Sequence, residues 1–213
     1  MSDIAARNAA LRQPWRSLRR QREGAAFGIW IFLGSEVMFF GCALLTFAVY
    51  RSLWPDAFAA AARETNITYG TVNTALLLTS SLTMAAAAEG AAAGLRRLTL
   101  CCLAATVAFG IGFLVVKGFE YQEDITKHLV PGAGFRLEAP QAQIFFAFYW
   151  LLTGVHAVHL STGIGIATVL GIQAWRGSRM LASPAFEALG LYWHFVDLVW
   201  VFLYPLLYLG GRS

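Results

Sequence analysis

Five ionisable side chains interrupt the long apolar stretches of this chain. Their types and spacing suit proton transfer, metal binding or hydrogen bonding between helices. Glu36 lies in GIWIFLGSEVMFFG, and His156 and His159 lie three residues apart in LLTGVHAVHLSTGIG. His194 and Asp197 have the same spacing in YWHFVDLVWVFLYPLLYLG, which places each pair on one helix face. Because an ionisable group is costly in lipid, each of the five is a candidate functional residue.

Metal or haem binding is one chemistry open to the histidines, since imidazole ligates both. His156 and His159 have the spacing to bind one ion, or one of them to bind haem opposite His194. The chain has only four histidines, however, and one of them, His128, falls in a predicted loop. A membrane di-iron enzyme uses many more. A haem-binding or metal-binding membrane enzyme is therefore the less favoured interpretation.

Hydrogen bonding between helices is the favoured use of the same residues. His156 and His159 are expected to bind Thr153, Asp197 or backbone carbonyl groups. His194 and Asp197 are expected to pair with each other, because a buried carboxyl and a buried imidazole both need partners. The hydroxyl-rich stretch NTALLLTSSLT is expected to join helices through small polar groups in the same way.

Two interpretations of Glu36 stay open. Its neighbours at helical spacing are Phe32, Leu33, Phe39 and Phe40, so the carboxyl is surrounded by apolar side chains. It is either a proton-exchanging, conformationally important group or a protonated Glu hydrogen-bonded to a neighbouring backbone or hydroxyl group. A proton-coupled transporter that uses Glu36 is a further alternative, but the sequence has no inverted internal repeat of the kind that many transporters show.

The elements that must position these residues are membrane-spanning helices. The chain is 58% apolar and 13% charged, and the apolar residues form runs long enough to cross a bilayer. The prediction is an all-α, polytopic helix bundle with five transmembrane helices and no separate soluble domain. The predicted spans are 25–51, 70–89, 97–117, 141–175 and 187–209. Residues 118–140 are expected to form a loop with a turn at Pro131-Gly132.

Basic residues predict the orientation of the bundle. Ten of the 16 Lys and Arg residues lie in the N-terminal arm and in alternate connections. The ten are Arg7, Arg12, Arg16, Arg19, Arg20, Arg22, Arg96, Arg97, Arg176 and Arg179. The bias predicts a cytoplasmic basic arm over 1–24, a membrane domain over 25–213 and an external C-terminus. It explains the positive net charge through membrane topology, so nucleic acid is not an expected partner.

Five segments resemble subunit III of the haem-copper terminal oxidases, most closely the cytochrome c oxidase branch. In chain order they are WIFLGSEVMFF, NTALLLTSS, KGFEY, FYWLLTGVHAVHLSTG and YWHFVDLVWVFLY. Each motif is weak alone, but five in the family's order are highly specific. The long family members have seven spans, and this chain is similar to a short, five-helix bacterial form.

The resemblance implies a non-catalytic subunit of a proton-pumping oxidase in the bacterial cytoplasmic membrane. Such a subunit packs on catalytic subunit I and other oxidase subunits, holds structural phospholipid and supports proton uptake. Haem and copper are bound by its partners, and no cofactor, metal or catalytic residue is implied in this chain. Glu36 falls on the family's carboxyl that reacts with hydrophobic carbodiimides. The motif positions with an implied structural role are Glu120, His156, His159, His194 and Asp197.

Related complexes provide the alternatives within the family. Five-span versions of this subunit also occur in quinol oxidases and in association with nitric oxide reductase. Those relatives tend to have Asp at the position of Glu36, which favours the cytochrome c oxidase branch for this chain.

Overall fold

The computed structural model describes residues 18–132, 134–137, 140–177, 181 and 183–211, and this part of the chain contains six α-helices and no strand. The helices are α1 (Leu18–Leu53), α2 (Pro55–Glu64), α3 (Ile67–Ala92), α4 (Arg96–Thr126), α5 (Pro140–Arg176) and α6 (Ala185–Tyr204). All except α2 are long and apolar enough to cross a membrane. The predicted all-α bundle with five spans is therefore confirmed, and the chain is a multi-pass membrane protein.

The helices differ from the predicted ones at three places. Residues 18–24 of the predicted basic arm are helical and form the start of α1, and the rest of that arm lies outside the described residues. The short helix α2 was not predicted, although Pro55 is suited to the first turn of a helix. Residues 118–126, predicted as loop, form the end of α4, where Glu120 and Asp124 face the interior of the bundle.

The two ends of the bundle are named here by their connections. The α2 end holds α2, the loop after Thr126 and the C-terminal residues. The Gly94 end holds the α3–α4 connection, where Gly94 adopts a φ of 72° and the Leu95 N–H donates to the Gly90 carbonyl, 2.8 Å away. This left-handed glycine ends α3 and lets α4 turn back beside it.

A narrow seam joins α1 to the other helices. Its buried side chains, Leu33, Phe40 and Phe47, recur every seven residues. Phe47 contacts Phe58 of α2 and Phe145 of α5, at ring-centroid distances of 5.4 and 5.8 Å. A stripe of one residue every two turns covers only a small part of the helix circumference, so most of α1 is exposed on this chain.

The most buried of the five spans is α6. The Trp193 indole N–H donates to the Ser80 hydroxyl of α3 at 3.0 Å, and the Trp200 indole N–H donates to the Thr74 hydroxyl at 3.1 Å. A Cβ at Gly163 of α5 would lie 3.2 Å from the Trp193 ring, so the small residue lets the two helices approach. The prediction that the hydroxyl groups of α3 join helices is confirmed.

The chain after α6 continues as one π-helical turn, Pro205–Leu209. Its first residue is a proline, which has no N–H to continue the α-helical ladder. The Arg51 guanidinium donates to the Gly210 carbonyl at 3.2 Å, and the Arg63 Nε–H donates to the Gly211 carbonyl at 2.7 Å. These bonds fasten the C-terminal residues to the ends of α1 and α2.

Candidate functional site

Glu36 and His159 form a polar contact between the middle of α1 and the middle of α5. Glu36 Oε2 lies 3.1 Å from His159 Nε2, and each side chain is less than one-fifth exposed. The sequence predicted carboxylates and imidazoles in one layer of the bundle, close enough to hydrogen-bond. For these two residues that prediction is confirmed.

The hydrogen bonds of His159 define how many protons the pair holds. His159 Nδ1 lies 2.9 Å from the Val155 carbonyl oxygen, which only accepts, so Nδ1 carries a hydrogen. Nε2 then either accepts a proton from a protonated Glu36 or donates its own to an ionised one. In both cases one proton lies between Nε2 and Oε2, and the pair is neutral overall. This neutrality lowers the cost of placing two ionisable groups at the middle of the membrane.

Side chains around His159 fix the position of its ring and backbone. The Phe40 ring of α1 packs edge-on against the imidazole, with a centroid distance of 5.6 Å. The Tyr192 hydroxyl of α6 donates to the His159 carbonyl at 2.8 Å. The histidine therefore lies where three helices meet, so that the pair with Glu36 also joins α1 to the bundle.

The predicted pairing of His194 with Asp197 is wrong. His194 Nδ1 lies 2.7 Å from the Ser81 hydroxyl of α3, and neither oxygen of the buried Asp197 carboxyl has a hydrogen-bond partner among the described residues. The Ser81 hydroxyl lies within interaction range of Asp197 as well, although without normal hydrogen-bond geometry. A neighbouring helix thus supplies the partner of His194, which the spacing along α6 does not reveal.

His156 has a different environment from the one predicted. It lies between the rings of Phe113 and Trp200, at centroid distances of 5.4 and 5.0 Å, and its nitrogens have no hydrogen-bond partner within the described ranges. Thr153, one of its predicted partners, instead contacts the Tyr121 hydroxyl at 2.7 Å. The other predicted partner, Asp197, makes no bond to it either.

The three membrane histidines therefore have three separate environments. His159 contacts Glu36, His194 contacts Ser81, and His156 lies among aromatic rings. Across the described residues, no group of three or more His, Cys, Asp and Glu side chains is arranged to hold a metal ion. In this geometry the histidines pack and hydrogen-bond individually rather than as one ligand set.

A buried charged network lies near the α2 end of α4. The Lys117 ammonium lies 3.0 Å from Glu120 Oε2, 3.0 Å from the Tyr149 hydroxyl and 2.8 Å from the Tyr208 hydroxyl. A Lys ammonium has three hydrogens, and each of these contacts uses one. The ammonium also lies 4.5 to 5.7 Å from the centroids of four aromatic rings, a distance range in which cation–π attraction is favourable.

Two carboxyl groups complete this network. The Tyr208 hydroxyl donates to Glu120 Oε1 at 2.7 Å, and the Tyr149 hydroxyl oxygen lies 2.8 Å from both Glu120 Oε1 and Asp124 Oδ2. All five side chains are buried. The set formed by Lys117, Glu120, Asp124, Tyr149 and Tyr208, called the Lys117 cluster below, joins α4, α5 and the C-terminal turn.

Of the Lys117 cluster, only Glu120 is among the residues that the family resemblance implied. The signal that finds the others is the periodicity of α4, whose inward positions alternate between spacings of four and three residues. These positions are Thr99, Leu103, Thr106, Gly110, Phe113, Lys117, Glu120 and Asp124. The three charged residues continue the same stripe, so the pattern predicts that they face inward.

Together the fold and these contacts define a class: an all-helical, multi-pass membrane protein whose interior polar groups mainly join its own helices. The family model described as cytochrome c oxidase subunit III matches residues 16–212. The chain belongs to this family, whose motifs the sequence analysis had identified.

Curated relatives support the assignment. The chain is 34% identical over 189 residues to cytochrome c oxidase subunit 3 of Bacillus subtilis, covering 86% of this chain and 85% of that protein. It is 30% identical over 187 residues to cytochrome bo(3) ubiquinol oxidase subunit 3 of Pseudomonas aeruginosa, covering 87% and 84%. A haem-copper oxidase subunit I+III of Aeropyrum pernix matches at 29% identity over 192 residues, covering 85% of this chain and 22% of that protein.

Proposed function

We propose that this chain is the non-catalytic subunit III of a proton-pumping haem-copper oxidase of the cytochrome c type. In that complex it stabilises catalytic subunit I and supports proton uptake, and the haem and copper belong to its partners. The observation that carries the proposal is the family match, which covers nearly the whole chain. The separate environments of the three membrane histidines also favour a subunit with a structural role.

Subunit I is the partner that the comparisons favour. The Aeropyrum protein is named as a subunit I+III, and fusion keeps two partners close at high effective concentration. The exposed face of α1, which includes Phe27, Trp30 and Met38, is apolar and suits either lipid or another membrane helix.

The electron donor is proposed to be cytochrome c, with quinol as the second candidate. The Bacillus relative is named for cytochrome c and the Pseudomonas relative for ubiquinol, at similar identity. Glu36, rather than Asp, at the membrane carboxyl position supports the first. Oxygen uptake measured with reduced cytochrome c and with quinol separately distinguishes the two donors.

Two grooves beside α1 support a role in holding phospholipid. A groove of about 450 Å³ between α1, α3 and α6 is lined mainly by aliphatic side chains, together with His194 and the exposed carboxylates Glu89 and Glu187. A second groove of about 310 Å³ between α1, α5 and α6 has an apolar wall that includes Phe32 and Ile166. Apolar walls suit acyl chains, and carboxylates suit the ammonium of a zwitterionic headgroup.

The proposed orientation places the N-terminus in the cytoplasm of a bacterial cell and the α2 end outside. Arg96, Arg97 and Arg176 lie at the Gly94 end, and clustered basic residues favour the cytoplasmic side. At the α2 end, Arg51 and Arg63 are engaged with the C-terminal carbonyl groups.

Affinity purification in mild detergent, followed by a visible spectrum and oxygen uptake, tests the proposal. Haem absorbance should co-purify with the tagged chain, and reduced cytochrome c should support oxygen uptake. Oxygen uptake that is supported by quinol and not by reduced cytochrome c would identify quinol as the electron donor instead. A Soret band from the isolated chain, lost in His156→Ala, would contradict the structural role.

Glu36→Gln is expected to change oxidase turnover by less than about twofold. The Gln amide can donate to His159 Nε2 in place of a protonated carboxyl, so the bond between α1 and α5 persists. Glu36→Leu is the matched variant: it leaves Nε2 without a partner, which costs about 1–3 kcal/mol. The measurements are turnover, proton pumping and the amount of the chain retained in the purified complex. A large loss of turnover in Glu36→Gln would show that proton exchange at Glu36 is needed.

A further inference from the structure

The Lys117 cluster has an unequal number of charges if all its groups are in their ordinary states. One ammonium, Lys117, then faces two carboxylates, Glu120 and Asp124, and the net charge is negative. All three side chains are almost completely buried. Because an uncompensated buried charge is very costly, the site favours one additional proton.

Hydrogen counting at Tyr149 leads to the same result independently. Its hydroxyl has one hydrogen, yet its oxygen lies 2.8 Å from Glu120 Oε1 and 2.8 Å from Asp124 Oδ2. Ionised carboxylates only accept hydrogen bonds, so one of these contacts would bring two oxygens together without a hydrogen between them. A proton on one carboxyl turns both contacts into hydrogen bonds.

The contacts of the two carboxyls differ, and the difference locates the proton. Glu120 accepts from the Lys117 ammonium at 3.0 Å and from the Tyr208 hydroxyl at 2.7 Å, which is the environment of an ionised carboxylate. Asp124 contacts the cluster through Tyr149 alone. As a neutral acid it would donate from Oδ2 to the Tyr149 oxygen, while Tyr149 donates to Glu120.

We propose that Asp124 binds a proton in the folded chain, and that the Lys117 cluster is a buried, electrically neutral proton-binding site. The groups that interact with Asp124 are Lys117, Glu120 and Glu123 of α4 and Tyr149 of α5, with Tyr208 of the C-terminal turn beyond them. Glu123 pairs with Lys127 at 2.6 Å on a part-exposed surface. Asp124 therefore lies next in the chain to a carboxylate that water reaches.

This site predicts that the stability of the bundle falls as the pH rises. The folded chain holds a proton on Asp124 at pH values at which an exposed aspartate in the unfolded chain is already ionised. Stability falls with rising pH wherever the folded state binds more protons than the unfolded state. Raising the pH through the range in which Asp124 loses this proton should therefore destabilise the wild-type bundle.

Asp124→Asn tests the proposal in the purified oxidase complex. Asn has the shape of the neutral acid and can donate to the Tyr149 oxygen, so the variant should assemble with subunit III retained. An infrared difference spectrum between the two complexes should show the loss of one protonated carboxylic acid band, and this band should shift in D₂O. The fall in thermal midpoint of the subunit with rising pH should be smaller in the variant.

Glu123→Gln is the matched control, since it removes the neighbouring carboxylate, which makes no hydrogen bond to the cluster and pairs with Lys127 instead. The variant should keep the carboxylic acid band, and its stability should still fall as the pH rises. A wild-type spectrum without a band that depends on Asp124 would overturn the proposal. Failure of Asp124→Asn to assemble would also overturn it, because a site that needs an ionised carboxylate rejects the neutral amide.

Discussion

Glu120→Gln is expected to destabilise the folded subunit by about 3–5 kcal/mol, which is the usual cost of removing one partner of a buried ion pair. The Lys117 ammonium would lose the carboxylate that lies 3.0 Å away, while both residues remain out of reach of solvent. The expected result is an oxidase complex purified with little of this chain, and a lowered thermal midpoint for what remains.

A double variant distinguishes the effect of the uncompensated charge in Glu120→Gln from the effect of the changed side-chain shape. Lys117→Met combined with Glu120→Gln removes both charges and keeps similar volumes, so it should recover most of the stability that Glu120→Gln loses. Glu123→Gln removes one partner of the part-exposed pair with Lys127 and should have little effect, since exposed pairs contribute weakly. If Glu120→Gln alone were retained normally, the ammonium would not depend on Glu120 for its burial.

Trp200→Ala is the second substitution with a large expected effect, about 3 kcal/mol. Trp200 is fully buried, and its ring packs edge-on against Phe113 with a centroid distance of 4.7 Å. In lipid the loss comes from packing and the cavity rather than from transfer out of water, so the lower part of the usual range for large-to-small changes applies. The measurement is the thermal midpoint of the subunit in the purified complex.

Two further variants divide the effect of Trp200 between its ring and its N–H group. Trp200→Phe keeps an aromatic ring but removes the donor to Thr74, which should cost about 0.5–1.5 kcal/mol. Trp175→Ala removes an indole that is 68% exposed on this chain and should change the midpoint little. Equal losses in Trp200→Ala and Trp175→Ala would contradict a specific role for interior packing.

The number and approximate position of the spans could be predicted because hydrophobic length is a local property of the sequence. The end of α4 could not be predicted from hydrophobic length, because charged residues in a sequence usually indicate a loop. Lys117, Glu120 and Asp124 are ionisable, but they follow the inward periodicity of the helix. Here the periodicity predicts an inward-facing helix, whereas the polarity predicts a loop. The segment is helical because its polar side chains pair with one another in the interior of the bundle.

The hydrogen-bond partners that a side chain finds on a neighbouring helix are harder to predict from the sequence than the helices themselves. The spacing of His194 and Asp197 shows that they share a face of α6, but it does not show which residue of α3 lies opposite. Ser81 occupies that position for His194. The Glu36–His159 contact was foreseen only as two groups in one layer, because the rotation of each helix about its axis comes from packing across the whole bundle.

The Lys117 cluster also has a consequence for how the chain is made. Lys117 and the two carboxyl groups lie on α4, whereas Tyr208 follows Lys117 by 91 residues, and chains emerge from the ribosome N-terminus first. During translation the Lys117 ammonium and the carboxyl groups of α4 therefore lack some of their hydrogen-bond partners until the C-terminal turn has been synthesised. A chain released before Tyr208 would keep α1 to α6 and still lack one donor to Glu120. The Lys117 cluster is therefore complete only after the turn that follows α6 has formed.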